Sequence, residues 1–266
     1  MINIGHAFLL NPMQNKFQLS CSKFIHHLNA SHGNEKDLLF VLHLISSKGI
    51  EEKKIQLSEE PKQTIHIWED QWINKQAIVE SRIGALFGQS KRIHARSTKI
   101  KRLDKKQSEA FLNANHLQGT TSAYYKFGLM HKDELVAVAT FSKSRIMNDG
   151  VVPYRSYEWV RFANKIGLTV VGGIGKLLNH FVDELHPAHI MTYIDLAWSD
   201  GKGYQTIGFK KGDTLQQVEY KLKIDEWKRI PIHQFKTTEL TTKEQQAYVS
   251  ISNVGSVKMI RDLRID

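Results

Sequence analysis

The chain has 266 residues, 41% hydrophobic and 24% charged, the balance of a globular protein able to bury a core. No apolar run is long enough to cross a bilayer, so no membrane partner is expected, and the single Cys21 excludes a disulfide framework or a cysteine-based zinc site. The formal charge of +10 draws in polyanions, of which nucleic acid is the commonest.

The opening MINIGHAFLLNPMQNK has no basic stretch before its apolar patch and no small-residue cleavage site, so no leader is expected and the expected location is cytoplasmic. Leu38 to Ile45 is a buried strand or a buried helix, which apolar continuity alone does not decide. Residues 51–62 read as a short strand or turn with a loop ending at Pro61, and Thr64 to Trp68 alternates as a strand. Glu69 and Asp70 then open a helix, where negative charge suits the macrodipole. Trp72, Ile73, Ala77, Val79, Ile83 and Leu86 recur at near-helical spacing, and Gly88 ends the run.

Residues 91–106 carry eight Lys or Arg against one Asp and predict an extended segment with its charges outward. Asp104 and Gln107 form a capping-box pattern for a helix over 105–115. Tyr124–Met130 and Leu135–Phe141 predict a hairpin closed by a polar turn, followed by a long loop over 142–153. A strand over 157–163, a glycine turn at 172–175, a helix over 176–185 and a strand over 189–196 make a parallel crossover. A short helix within 201–208 follows, with further strands at Phe209 and 218–224. In the tail 225–266, Trp227, Ile230 and Ile232 are expected to dock on the main domain, and 248–257 to form a terminal strand or hairpin.

Three blocks carry chemistry. Val171, Gly172, Gly173, Ile174, Gly175 and Lys176 bring exposed amides to a helix start, a natural place for phosphate, or a tight turn without a ligand. Tyr193 and Asp195 share a strand face near its C-terminal end, where α/β sheets place ligands. Asp195 is a base or a cap of the next turn, and Tyr204 is a proton donor or a core residue. Glu158 and Arg161, three apart on a strand, point to opposite faces, and the guanidinium fork of Arg161 suits phosphate or carboxylate. His116 lies just past a helix end. The thirteen histidines match no ligand spacing, so no metal is expected.

In order, NHLQG, YYKFGLMHKDELVAVATFSKSR, YEWVRFANK, TVVGGIGKLL and YIDLAWSDGKGYQTIGFKKG resemble a phage-type GNAT-like (N-acetyltransferase-like) domain, with the resemblance covering residues 64–223. Such a domain is the C-terminal module of homing endonucleases whose nuclease resembles very-short-patch repair enzymes. The Mom-type DNA-modification family is more distantly similar. The resemblance implies an α/β (α+β) fold: a GNAT-like mixed central sheet flanked by helices over 91–224, with a small α/β region over 1–90 as a degenerate nuclease-like remnant and 225–266 as an extension. It implies acetyl-CoA or a related acyl donor at residues 171–176, and catalytic roles for His116, Glu158, Arg161, Tyr193, Asp195 and Tyr204. Val170 departs from the Gln or Arg usual at the start of that loop.

The expected partner is double-stranded DNA, held by Lys91, Arg92, His94, Arg96, Lys99, Lys101 and Arg102. The leading expectation is an acyltransferase-like enzyme modifying a nucleobase. The alternatives are a non-catalytic DNA-binding module and a divergent nuclease using Glu69 and Asp70.

Overall fold

A computed structural model describes residues 12–32, 38–46, 48–57, 59–150, 152–235 and 241–264, so the leader reading at residues 1–11 lies outside the described residues. In chain order come helix α1 (Pro12–His32), strands β1 (Leu38–Ser46), β2 (Gly49–Gln56) and β3 (Gln63–Trp68), and helix α2 (Glu69–Leu86). There follow β4 (Lys91–His94), a 3-10 turn (Ala95–Ser97), β5 (Lys99–Arg102), α3 (Lys105–Asn115), β6 (Tyr125–His131) and β7 (Glu134–Phe141). Next are β8 (Arg145–Met147), β9 (Tyr154–Asn164), β10 (Leu168–Val171), α4 (Gly173–Leu185), β11 (His189–Asp195) and α5 (Lys202–Gln205). The chain closes with β12 (Lys210–Leu215), β13 (Glu219–Lys223), β14 (Lys228–Pro231), α6 (Thr242–Gln245), β15 (Tyr248–Ser252) and β16 (Ser256–Asp262).

These elements form two compact units, one from residues 1–76 and 216–255, the other from 77–215 and 256–266. The expected boundaries at 90 and 224 differ from this division. The reason lies in the strand order of the second unit, β12-β16-β11-β9-β7-β6-β5, in which the chain end β16 sits between β11 and β12. Residues 216–255 leave that sheet after β12 and return to it only at β16. The tail therefore does not dock as one piece: β14 and β15 pair with β13 in the first unit, and β16 completes the sheet of the second.

The second unit is a mixed α/β sheet flanked by helices, the expected fold class. Its core on one face gathers Phe127, Phe141, Tyr157, Trp159, Ile190 and Ile194 under Leu177, Leu178 and Phe181 of α4. The other face carries Val138 and Ala163 under Phe111 and Leu112 of α3. The Asp104–Gln107 capping box is present, with Gln107 N donating to Asp104 Oδ1 at 2.7 Å. The β6–β7 hairpin turns through Lys132 and Asp133, both at positive φ (48° and 64°), the conformation its two-residue turn requires.

In the first unit, Leu38 to Ser46 is a strand, paired antiparallel to β2 and parallel to β3. Helix α1 buries Phe17, Cys21 and Ile25 there, with Phe17 edge-on to Trp72. His43 stacks on Trp68 at 4.0 Å, hydrogen-bonds His66 and meets Glu52. Burial, with His66 and Arg229 nearby, pulls the His43 pKa down to about 4. Glu69 is fully buried; its Oε2 accepts from Ile45 N at 2.8 Å and its Oε1 has no partner among the described residues. Burial pushes its pKa up to about 7 from 4.5, the amide of Ile45 opposing and Asp70 adding to the rise.

A carboxyl whose pKa is raised by folding favours the folded state fully only below its unfolded pKa. That advantage fades as pH rises from 4.5 through about 7. Glu69→Gln is therefore expected to match the wild type in acid and to be more stable above neutrality, by about 2–3 kcal/mol. Denaturant midpoints across pH check this; parallel curves for the two proteins would remove the assignment.

Candidate functional site

The parallel strands β9 and β11 pair only at Ser156–His189, Tyr157–Ile190 and Glu158–Met191. Beyond these pairs β9 continues along β7 to Asn164 and β11 along β16 to Asp195, so the sheet opens as a V at the C-terminal ends of both strands. Near its apex Thr192 Oγ1 donates to Trp159 O at 2.8 Å. Helix α4 begins at the same end, because the chain leaves β9 through β10 and turns at Gly172.

Gly172 caps α4 at φ 77°, a left-handed position that favours glycine. Gly173 has no room for a Cβ, which would lie 2.9 Å from Val170. Both Gly173 and Gly175 lie within the first helical turn, so the helix starts three residues before the expected Lys176. The amides of Gly173, Ile174 and Gly175 donate to no described residue, and the cap has no side chain to answer them. They are three of the four donors that a helix start leaves open, at its positive end.

Lys176 differs from its expected cofactor role. Its Nζ donates to Ala95 O at 2.9 Å and Thr98 O at 2.5 Å, tying the 3-10 turn to α4. The remaining residues of the expected loop divide as follows: Val171 ends β10 opposite His94, and Ile174 packs on the core.

The basic segment keeps its charges outward, as its pattern predicts, but is not one extended run: a 3-10 turn separates β4 from β5, and α3 begins at Lys105. Strand β4 pairs in parallel with β10, and Ala95 lies 3.7 Å from where a Gly172 Cβ would stand, so the segment starts beside the glycine turn. It ends at β5, the sheet's edge strand. Lys91, Arg92, His94, Arg96, Lys99, Lys101 and Arg102 are all exposed. Arg102 meets Glu184 at 3.3 Å, whereas Lys91, Arg92, Arg96, Lys99 and Lys101 have no acidic partner among the described residues.

Glu158 and Arg161 share a face, contrary to the expectation from strand alternation. The β7–β9 register steps from Thr140–Arg161 to Phe141–Trp159, leaving Val160 as a bulge that shifts the alternation by one residue. The register of β11 against β9 puts Tyr193 and Asp195 on that face too, opposite α4. Arg161 does not present a free fork: its Nη1 donates to Val160 O at 2.9 Å and its Nε to Gly119 O at 3.4 Å. It thereby anchors the loop after α3 that carries His116. Burial lowers the Arg161 pKa and Glu158 opposes this.

His116 caps α3, and its Nδ1 accepts from Gln118 N at 3.1 Å. A neutral ring held in this way carries its proton on Nε2, so it donates there. Asp195 takes Ala197 N on Oδ1 at 2.9 Å, the capping role, and its second oxygen accepts from no described residue. Tyr193 is 41% exposed. Tyr204 packs against Trp159 and Phe209, on the α4 side of the sheet. Burial pushes its pKa up to about 12, with Arg82 opposing. The site therefore has two sides joined through the V: open amides on one, and Glu158, Arg161, Tyr193 and Asp195 on the other.

Sequence reasoning missed Arg82. It sits at the end of α2, its guanidinium 4.5 Å over the buried ring of Trp198, with Asp195 and Tyr204 the two groups that favour its charge. The expected nuclease acids point inward: Glu69 as above, and Asp70 paired with Arg229. No cluster of three or more His, Cys, Asp or Glu able to hold a metal occurs among the described residues. No helix among them is long and apolar enough to cross a membrane.

No family model matches the chain, and neither does any curated protein. Among solved structures it is similar to the Bacillus subtilis acetyltransferase in complex with CoA, at 14% identity and TM-score 0.40, over 62% of this chain and 99% of that one. A GNAT family acetyltransferase from Elizabethkingia anophelis with acetyl-CoA bound is similar at 13% identity and TM-score 0.38, over 63% and 99%. The ribosomal-protein-S18-alanine N-acetyltransferase of Escherichia coli is similar at 14% and 0.37, over 64% and 96%. These are partial likenesses of fold alone.

Proposed function

We propose that the second unit is a GNAT-type transferase that passes an acyl group from a coenzyme A thioester to a base of double-stranded DNA. The observation that carries this reading is the set of three open amides of Gly173, Ile174 and Gly175 at the mouth of the β9–β11 opening. A helix start of this kind suits a pyrophosphate. Beside it, the exposed cations of β4 and the 3-10 turn suit further phosphates. When bound, the thioester supplies an acyl group activated for attack by an amine.

The chain's own groups then divide the proton work. Tyr204, with its pKa pushed up to about 12, keeps its proton at neutral pH and can give it from Oη to the sulfur of the departing thiolate as the carbon–sulfur bond breaks. The second oxygen of Asp195 can accept a proton on the acceptor side. His116, with Nδ1 taken, is suited to donating rather than accepting, and Arg161 holds its loop in place. The ground for a nucleobase acceptor is the sequence resemblance of residues 64–223 to phage-type GNAT-like domains and, more distantly, to DNA-modification proteins.

Calorimetry with acetyl-CoA tests the donor half. The wild type is expected to bind it, and Gly175→Asp to bind at least about a hundredfold more weakly, since a carboxylate ~4 Å from a phosphate costs a few kcal/mol. That change should preserve the fold: a Cβ at Gly175 meets nothing nearer than Ile207 at 3.8 Å, and an acid suits a first helical turn. No heat from the wild type would sink the donor reading. Nucleoside masses of DNA from cells making the protein test the acceptor half. The exposed, unpaired cations favour one second reading, a DNA-binding module without catalysis, for which DNA binding persists with no coenzyme binding and no mass change.

A further inference from the structure

A guanidinium cannot shed its charge, so one drawn partly out of water favours anions or acceptors around it. Arg82 has few. It makes a cation–π contact with Trp198 and no hydrogen bond to any described residue. No carboxylate of a described residue lies within ion-pair reach of it. Asp195 favours its charge but spends one oxygen on Ala197 N. Burial lowers the Arg82 pKa, the sign of a cation short of compensation. Yet none of its nitrogens is among the wholly inaccessible unpartnered atoms, so something from outside can reach them. Arg82 is half-buried, with Trp198, just past the end of β11, on one side of its guanidinium, so the donors of its planar fork are partly open to a ligand.

We propose that Arg82 is the phosphate-recognising residue of the acceptor side, taking one backbone phosphodiester of the nucleic acid. This rests on the reading of the unit as a transferase acting on DNA. The chemistry explains why the residue is half-buried and without an ion pair among the described residues. A base in a duplex cannot reach a crevice without leaving the stack, and its own phosphate follows it inward. Surface cations hold the outer phosphates; a half-buried fork suits the one carried in. A bidentate phosphate contact supplies the missing partner. Trp198 fixes the plane of the fork from one side, making Trp198 a positioning residue.

The test is the salt dependence of binding of a short single-stranded oligonucleotide to the full chain, by fluorescence anisotropy. Arg82→Gln is expected to weaken binding about tenfold and to reduce the slope of log K against log salt by about 0.7, the share of a single phosphate on a single strand. Arg82→Lys, which keeps the charge, should restore the slope. A merely structural arginine would not move the slope. Because the cation is uncompensated, Arg82→Gln should also melt no lower than the wild type, and Arg82→Lys serves as the check on folding. Wild-type slope and affinity in Arg82→Gln would overturn the proposal while leaving the DNA reading intact. Absence of oligonucleotide binding by the wild type would overturn both, and unchanged acetyl-CoA binding by Arg82→Gln shows that the donor half is untouched.

Discussion

Replacing Arg92, Arg96, Lys99 and Lys101 together with glutamine is expected to lower affinity for duplex DNA about a thousandfold at ~0.1 M salt, and to reduce the salt slope by about 3.6, four phosphate contacts at ~0.9 each. The four are exposed and have no acidic partner among the described residues, so no folded-state contact is lost with them. Each substitution should change stability by less than about 0.5 kcal/mol. Arg102 stays in place because it meets Glu184 and lies over Tyr125, where its removal would disturb packing. The geometry makes the four act together. Arg92 is on β4, Arg96 in the 3-10 turn, and Lys99 and Lys101 on the edge strand β5, alternating outward around the half-buried Ile100. Filter binding or anisotropy across salt reads both quantities. An unchanged slope would show that the phosphates lie elsewhere.

Local patterns carried most of the second unit. The capping box at Asp104, the β6–β7 hairpin and β11 are each specified by residues a few positions apart, and each forms as its spacing predicts. What the sequence could not reveal is non-local. Strand β16 lies between β11 and β12, and nothing in SVKMIRD names its two partners. Its apolar alternation, Val257 and Met259 inward, is that of any half-buried strand.

The site shows the same division. The glycines marked the start of α4, because only their backbone freedom and small size fit Gly172 and Gly173 there. The bulge at Val160 was invisible, since it depends on the register against β7, and one skipped residue reverses which faces Glu158 and Arg161 occupy. Lys176 looked like a phosphate ligand in its sequence context, yet two carbonyls of a segment about eighty residues away hold it. Arg82 lay in a helix read as part of a nuclease remnant. Its one signal was a cation immediately before Ile83, on the flank of the buried stripe of Val79 and Ile83.

The second large effect concerns the first unit. Asp70 is 3% exposed and receives both Nε and Nη2 of Arg229, at 2.5 and 2.7 Å. The partners are 159 residues apart, so this pair ties the inserted segment 216–255 to the N-terminal strands and helix it folds with. Arg229 also lies over Trp68 and Tyr220. Arg229→Met keeps much of the packing but leaves a buried carboxylate alone, which costs about 3–5 kcal/mol when a buried pair is broken from one side. Asp70→Asn in the same chain removes the stranded charge and should recover about half of that loss, because an unpaired amide costs less than an unpaired ion. Equilibrium denaturation of the two single variants and the double variant gives the coupling directly. A loss below about 1 kcal/mol for Arg229→Met would place the pair among the weak surface contacts, and something other than this ion pair would then have to hold the insert to its sheet.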